Sequence, residues 1–131
     1  MSGAGDKTRA PWLTAMAEYE GLPLALRIRP GADNPGNRSK FPRLVLVSHE
    51  LDDASSNGLP AAQYNDSLAD FDHAVHAAVE RDGAGLLVLV ETFSGKRNYY
   101  AYVADDGSAE QRIRELQTTF PQHKLRLRRG S

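Results

Sequence analysis

Hydrophobic and polar positions alternate near the start of this 131-residue chain. Leu24, Leu26 and Ile28 are separated by small or charged residues, which is the period-2 pattern of a half-buried strand. A segment from Trp12 to Tyr19 precedes them, and Glu20-Gly21 lies between the two segments. The pattern therefore predicts an N-terminal β-hairpin.

Two longer segments have the period of amphipathic helices. Pro60 suits the first position of a helix, and the apolar stripe that follows it ends near Asp82-Gly83. Ser108 suits the N-cap of a second helix, with Gln111 at capping-box spacing, and Pro121 ends that helix. The stripe of the first helix consists of Tyr64, Leu68, Phe71, Val75, Ala78 and Val79.

Four more segments are typical of strands: Phe41–Leu51, Leu86–Phe93, Asn98–Val103 and Lys124–Arg129. The second and third are joined through Ser94-Gly95-Lys96, where glycine supplies the positive φ of a short turn. Segments dense in Gly, Pro, Asn and Asp predict loops over 30–40 and 52–59.

From residue 41 onward the predicted order is strand, helix, strand, strand, helix, strand. This is the ferredoxin-like, split βαβ plan of an α+β protein, with an antiparallel sheet and both helices on one face. The N-terminal hairpin extends or flanks that sheet. We expect residues 1–11 to form a disordered tail and residues 12–131 to form a single domain.

Composition restricts the class of protein further. There is no cysteine, so disulfides and thiolate metal sites are excluded. The longest apolar run is Leu86–Val90, which is too short to span a bilayer, and no signal peptide is visible. We therefore expect a cytoplasmic protein that does not enter a membrane.

The net charge of −1 conceals an uneven distribution. Residues 50–82 carry eight acidic groups and one basic group, whereas residues 123–131 carry four basic groups and no acidic one. Such asymmetry can steer a partner without identifying it. One alternative function is a toxin-neutralising immunity protein, in which the acidic stretch from Glu50 to Asp82 imitates nucleic acid.

A second alternative is a small hydrolase or ligand-binding enzyme that uses His49 and Glu50, with Asp52 or Asp53 nearby. Adjacent residues of a strand point to opposite faces, so His49 and Glu50 cannot both address one substrate unless the strand has ended. The sequence contains no nucleophile elbow, P-loop or dinucleotide-binding motif. We assign no catalytic residue and no cofactor.

His73 and His76 are three residues apart on the first helix, which is a permitted spacing for metal ligands. The segment lacks the glutamate of an H-E-x-x-H helix, and pairs of this kind are common on exposed helix faces. We predict no metal site.

The most distinctive segment is the hairpin G-K-R-N-Y-Y-A-Y-V. We expect Tyr100 and Tyr102 to project from the sheet face away from the helices, beside Lys96 and Arg97. Tyrosine and arginine are enriched at interface hot spots, so this face is predicted to bind a protein partner. RNA binding is disfavoured, because the first core strand offers no stacking aromatic and the chain has no net positive charge.

The hairpin and the start of the first helix also resemble a known family. Asn57-Gly58-Leu59-Pro60 and the later motif Thr92-x-x-Gly95-x-Arg97-x-Tyr99-Tyr100-x-Tyr102 are similar to those of a bacterial family, domain of unknown function 695. The resemblance covers roughly residues 12–129. The positions that match its motif are Gly58, Pro60, Thr92, Gly95, Arg97, Tyr99 and Tyr102.

That family is in turn similar to the ribonuclease E activity regulator B family, whose members act by binding a large enzyme. The resemblance implies a ferredoxin-like domain without established catalysis, and by analogy a regulator or adaptor. Arg97 is the motif residue that turn or packing requirements explain least. It either pairs with Glu91 across the hairpin or presents its guanidinium to a partner.

Overall fold

The computed structural model describes residues 12–30, 35–51 and 68–130. The predicted tail over 1–11 and the predicted loop over 52–59 lie outside these residues, as do Gly58, Pro60 and the first turns of the first predicted helix. In chain order the elements are β1 (Leu13–Tyr19), β2 (Leu22–Ile28), α1 (Pro35–Lys40), β3 (Arg43–Glu50), α2 (Ala69–Glu80), a 3₁₀ turn (Arg81–Gly83), β4 (Gly85–Phe93), β5 (Lys96–Val103), α3 (Asp106–Thr119) and β6 (Lys124–Arg129).

The described strands form one sheet in the order β1-β2-β4-β5-β3-β6, with every neighbouring pair antiparallel. The α+β class and the antiparallel sheet are therefore confirmed. The ferredoxin-like plan predicted a four-stranded order, and the six-stranded sheet does not match it. In a four-stranded sheet, β4 would be an edge strand. Here β2 hydrogen-bonds to β4, and β1 pairs with β2 in turn.

The N-terminal hairpin extends the sheet instead of covering it. Its two strands are joined by Glu20 and Gly21, both with positive φ, as a two-residue hairpin turn of the primed type requires. Ile28 pairs with Leu89 and Leu24 pairs with Phe93, so β2 continues the plane of β4. Neither face of the sheet is sealed by this hairpin.

The core lies between one sheet face and the two longer helices. Along β3 the buried residues are Val45, Val47 and His49, in strict alternation, and along β5 they include Tyr99 and Ala101. These side chains meet the apolar stripes of α2 and α3, which also pack against each other. The alternation means that the intervening residues of each strand project from the opposite sheet face.

Two helix predictions need correction. A short helix, α1, lies within the segment predicted as a loop over 30–40. At the start of α3 the N-cap is Asp105, not Ser108, because the Asp105 carboxylate accepts hydrogen bonds from the backbone amides of Gly107 and Ser108. An aspartate at this position satisfies two amides that have no partner inside the helix, and its negative charge suits the helix N-terminus.

Gly85 provides a test of the packing between α2 and β4. A Cβ at this position would lie 2.6 Å from the Val79 carbonyl oxygen and 2.8 Å from a Val103 methyl group. We expect Gly85→Ala to lower the free energy of unfolding by about 1–3 kcal/mol, because backbone must shift. The control is Gly107→Ala in the first turn of α3, where the nearest atom is 3.7 Å away. Urea denaturation should show this control equal to or more stable than the wild type.

Candidate functional site

The β4–β5 hairpin distributes the candidate residues over both faces of the sheet. Arg97 and Tyr99 lie on the face that packs against the helices and are buried. Tyr100 and Tyr102 lie half-buried on the opposite face, and Lys96 is exposed. We expected Arg97 to lie on the same face as the two tyrosines, and this prediction is wrong, because Arg97 faces the helices. Arg97 and Tyr99 are two residues apart on one strand and must face the same side, so the sequence could have predicted this orientation.

A buried ion network surrounds Asp72 of α2. Arg97 donates from Nη1 to the Asp72 carboxylate at 2.8 Å and from Nε to Thr92 Oγ1 at 3.0 Å. The Tyr99 hydroxyl donates to the other carboxylate oxygen, and an Arg27 nitrogen lies 3.6 Å from Asp72. Two hydrogen-bond donors and a second cation thus surround one carboxylate between sheet and helix. The expected pairing of Arg97 with Glu91 is not what holds its guanidinium.

A second charged cluster attaches β2 to the end of α2. Arg29 Nη2 lies 2.9 Å from Glu80 Oε2, and His76 Nε2 lies 3.1 Å from the same oxygen. Glu80 also accepts the backbone amide of Leu87 at 2.9 Å, beside the irregularity in the β4–β5 register. Burial alone would raise the pKa of Glu80. The hydrogen bonds from His76 and Leu87 and the nearby charges outweigh burial and lower the pKa.

Between these clusters lies a cleft of about 280 Å³ on the helix side. Its polar lining comes from Arg27, Asp72, His73 and His76, and Trp12 lies at one side with its ring edge toward His76. Arg27 and His73 could bind a small acid. Asp72 already accepts hydrogen bonds from Arg97 and Tyr99, so this side of the cleft is the margin of a structural network.

His49 is fully buried in an aromatic cluster. Its ring lies 4.7 Å from that of Phe71, and its Nε2 lies 3.1 Å from Nδ1 of His123. Glu50 is exposed on the other sheet face, as strand alternation requires, and Asp52 and Asp53 lie outside the described residues. His49 does not line the cleft between the two charged clusters. Among the described residues, His49 and Glu50 therefore do not meet at one site.

The histidines of α2 are also engaged differently from metal ligands. His73 is exposed, whereas His76 contacts Glu80 and Arg29. Over 12–30, 35–51 and 68–130, no group of three His, Asp or Glu side chains has the arrangement that would hold a metal ion. Among the same residues, no helix combines the length and apolarity needed to cross a bilayer.

The sheet face opposite α2 and α3 is here called the helix-free face. A continuous row of cross-strand partners crosses it, and the row consists of Leu13, Ile28, Leu89, Tyr100, Leu46 and Arg128, one residue from each strand. We call this the apolar row, since every member before Arg128 is apolar or aromatic. Sequence analysis identified Tyr100 but missed the row, because a row depends on which strands are neighbours.

The comparisons with known proteins were made on the whole sequence. A family model described as "Family of unknown function (DUF695)" matches residues 10–129. The chain belongs to this family. A search of curated proteins finds no significant match. The family match does not reach the ribonuclease E activity regulator B family, so a regulatory role is a proposal.

The DUF695 motif acquires a physical explanation from this geometry. Thr92, Arg97 and Tyr99 belong to the buried network around Asp72, and Gly95 has the positive φ of the hairpin turn. Tyr100 and Tyr102 project from the helix-free face. Half of the described motif residues therefore belong to the network that joins the hairpin to α2.

Removing the carboxylate should expose how much the network contributes to stability. Asp72→Asn removes the carboxylate that the Arg97 guanidinium and the Tyr99 hydroxyl contact, so we expect the free energy of unfolding to fall by about 3 kcal/mol. The comparison is Arg114→Gln, which breaks an exposed ion pair with Glu110 and should cost less than about 0.5 kcal/mol. Equal losses in urea denaturation of the two variants would contradict the assignment.

Tyr99 gives the network a signature at alkaline pH. Burial, the charge of Asp72 and the hydrogen bond to Asp72 raise the pKa of Tyr99 well above its ordinary value. In the unfolded chain the Tyr99 hydroxyl loses its proton near pH 10, whereas in the folded chain it keeps the proton. The free energy of unfolding therefore falls as the pH rises above 10, by up to about 1.4 kcal/mol per pH unit. Tyr99→Phe should remove this loss.

The comparison for Tyr99→Phe is Tyr100→Phe. Burial and Glu91 raise the pKa of Tyr100 as well, but its hydroxyl is only partly buried. We expect Tyr100→Phe to remove a smaller part of the alkaline destabilisation. Urea denaturation at pH 8, 10 and 11 measures both variants, and an unchanged slope in Tyr99→Phe contradicts the prediction.

Proposed function

We propose that this domain is a non-catalytic binding module, a regulator or adaptor that docks a partner protein on its helix-free face. The observation that carries the proposal is the apolar row. Neighbouring strands lie about 4.8 Å apart, so the apolar members, which belong to five strands, span about 19 Å. Leu13 is exposed and the other four are half-buried, and a continuous row of partly exposed apolar side chains is more typical of an interaction site than scattered surface leucines are.

The middle of the helix-free face is polar but already hydrogen-bonded. Ser48 donates to the side-chain oxygen of Asn98 at 2.8 Å, and Asn98 donates to Glu91 at 3.0 Å. The Tyr100 hydroxyl contacts the same Glu91 oxygen at 3.3 Å. Because these groups have partners within the face, a docking protein can cover them without leaving them unsatisfied. This preorganisation favours the face as an interface.

One margin of the helix-free face is basic, which indicates the chemistry of the partner. A shallow depression of about 130 Å³ there is lined by the basic side chains of Lys96, Lys124, Arg126 and Arg128, with Glu50 as the single acidic side chain. A complementary partner has an apolar surface bordered by carboxylates. Charge of this kind accelerates encounter and fixes orientation more than it adds affinity.

The two alternatives have less support. The hydrolase alternative requires His49 at a substrate, yet its ring is enclosed by Phe71 and His123. The immunity alternative requires a continuous set of exposed acidic groups; among the described residues of 50–82, Asp72 and Glu80 are engaged by arginines, and Glu50, Asp70 and Asp82 are exposed. Nucleic acid suits the basic margin and does not suit the aliphatic side chains that make up most of the apolar row.

Site-specific photo-crosslinking in the cell of origin tests this proposal. A photoreactive phenylalanine analogue at position 100 should form an adduct with one heterologous protein, whereas the same probe at the exposed Gln111 of α3 should not. In the position-100 background, Arg128→Glu should reduce the adduct about tenfold, which corresponds to about 1.4 kcal/mol. Arg114→Glu on α3 should leave its yield unchanged.

Three outcomes contradict the proposal. They are adducts of equal yield from positions 100 and 111, adducts formed only with nucleic acid, and adducts formed only between copies of this chain. Circular dichroism of each variant confirms that the fold is retained, because all four substituted side chains lie outside the core.

A further inference from the structure

The two edges of the sheet differ in how they are protected. All seven residues of β1 are exposed. Among the described residues, the exposed large hydrophobic side chains are Leu13, Met16 and Tyr19, with exposed fractions of 56%, 65% and 57%. All three belong to β1. Exposure of this kind concentrated in one edge strand is an unusual feature for a chain that remains monomeric.

Natural sheets protect their edges with charges, proline or bulges. The opposite edge, β6, has such protection, since four of its six residues are Lys or Arg. β1 has one charged residue, Glu18, contains no proline, and pairs with β2 residue by residue without a bulge. Among the described residues, no strand other than β2 pairs with β1.

We propose that β1 pairs with β1 of a second copy of this chain, antiparallel about a two-fold axis at Met16, so that two six-stranded sheets become one. A second copy is favoured because the strand is self-complementary in this register. Leu13 faces Tyr19 of the second copy, Thr14 faces Glu18, and Ala15 faces Ala17. No like charges oppose each other.

The backbone selects the same register. A two-residue turn makes Tyr19 and Leu22 a hydrogen-bonded pair, so alternate residues from Tyr19 back to Leu13 bond to β2. The amides and carbonyls of Thr14, Met16 and Glu18 then point outward. With the axis at Met16 these three residues meet their outward-pointing counterparts and form about six hydrogen bonds, whereas a shift by two residues leaves about four.

The side chains agree with this arrangement on both faces. On the helix-free face, Leu13 and Tyr19 of the second copy meet, so the apolar row continues toward the axis. On the helix side, Glu18 comes opposite Thr14 of the second copy, whose neighbour on β2 is Arg27. The Arg27 side chain is 44% exposed and can approach that carboxylate. The pairing is independent of the proposed partner protein, because it uses the edge and not the face.

Molar mass in solution tests the pairing. By light scattering at 100 µM we expect about twice the 14.4 kDa of one chain. Met16→Lys places two like charges at the axis and should give a folded monomer, whose melting temperature no longer depends on protein concentration. Gln111→Lys makes the same charge change on exposed α3 and should remain dimeric. A monomeric wild type, or a dimer that survives Met16→Lys, overturns the proposal.

Cysteine cross-linking tests the register, because the natural chain has no cysteine. Met16→Cys should form a disulfide with itself under mild oxidation, since opposed Cα atoms lie about 5.5 Å apart. Leu13→Cys alone should not, but it should cross-link when mixed with Tyr19→Cys. Gln111→Cys is the control for random collision. Cross-linking of Leu13→Cys with itself at the rate of Met16→Cys contradicts the register.

Discussion

The Asp72 carboxylate is the interaction on which the arrangement of sheet and helices depends. It lies on α2 and accepts hydrogen bonds from Arg97 and Tyr99 of β5, so it joins the helix layer to the centre of the sheet. A buried arginine requires acceptors for its hydrogen bonds, and a carboxylate also compensates its charge. Burial of Arg97 and Tyr99 therefore presupposes that α2 is docked in one rotational position, with its apolar stripe on the core.

This constraint determines which residues of the β4–β5 hairpin face the helices and which face away from them. One set of alternating residues along β5 is committed to the helices, and the other set is left on the helix-free face. In two antiparallel strands joined by a tight turn, a register shift of one residue would move every side chain to the opposite face of the sheet. A partner that docks on Tyr100 thus meets a surface whose geometry is set from behind by the ion network.

Strand and helix periodicity predicted much of this fold, and pairing over distance explains what was missed. The alternation of Leu24, Leu26 and Ile28 located β2 correctly, but nothing local indicates that β2 would pair with β4. The same limit applies to the candidate site. The parity of Arg97 was readable from its neighbour Tyr99, whereas Asp72 is 25 residues away in sequence and could be assigned only from coordinates. Likewise, aspartate and serine both favour the N-cap position, so the sequence did not decide between Asp105 and Ser108.

The attachment of β2 to α2 has a consequence for how the domain responds to its ionic surroundings. Arg29 reaches Glu80 and lies under the Trp12 ring, with 5.0 Å between guanidinium and ring centroid. The central strands are held to the helices by apolar packing in addition to the Asp72 network. Salt screens partly exposed charges and leaves hydrophobic contact intact. Rising ionic strength should therefore weaken the contact of β2 with α2 only in part, because the Arg29–Glu80 pair is largely buried, while the backbone ladder to β4 keeps β2 in the sheet.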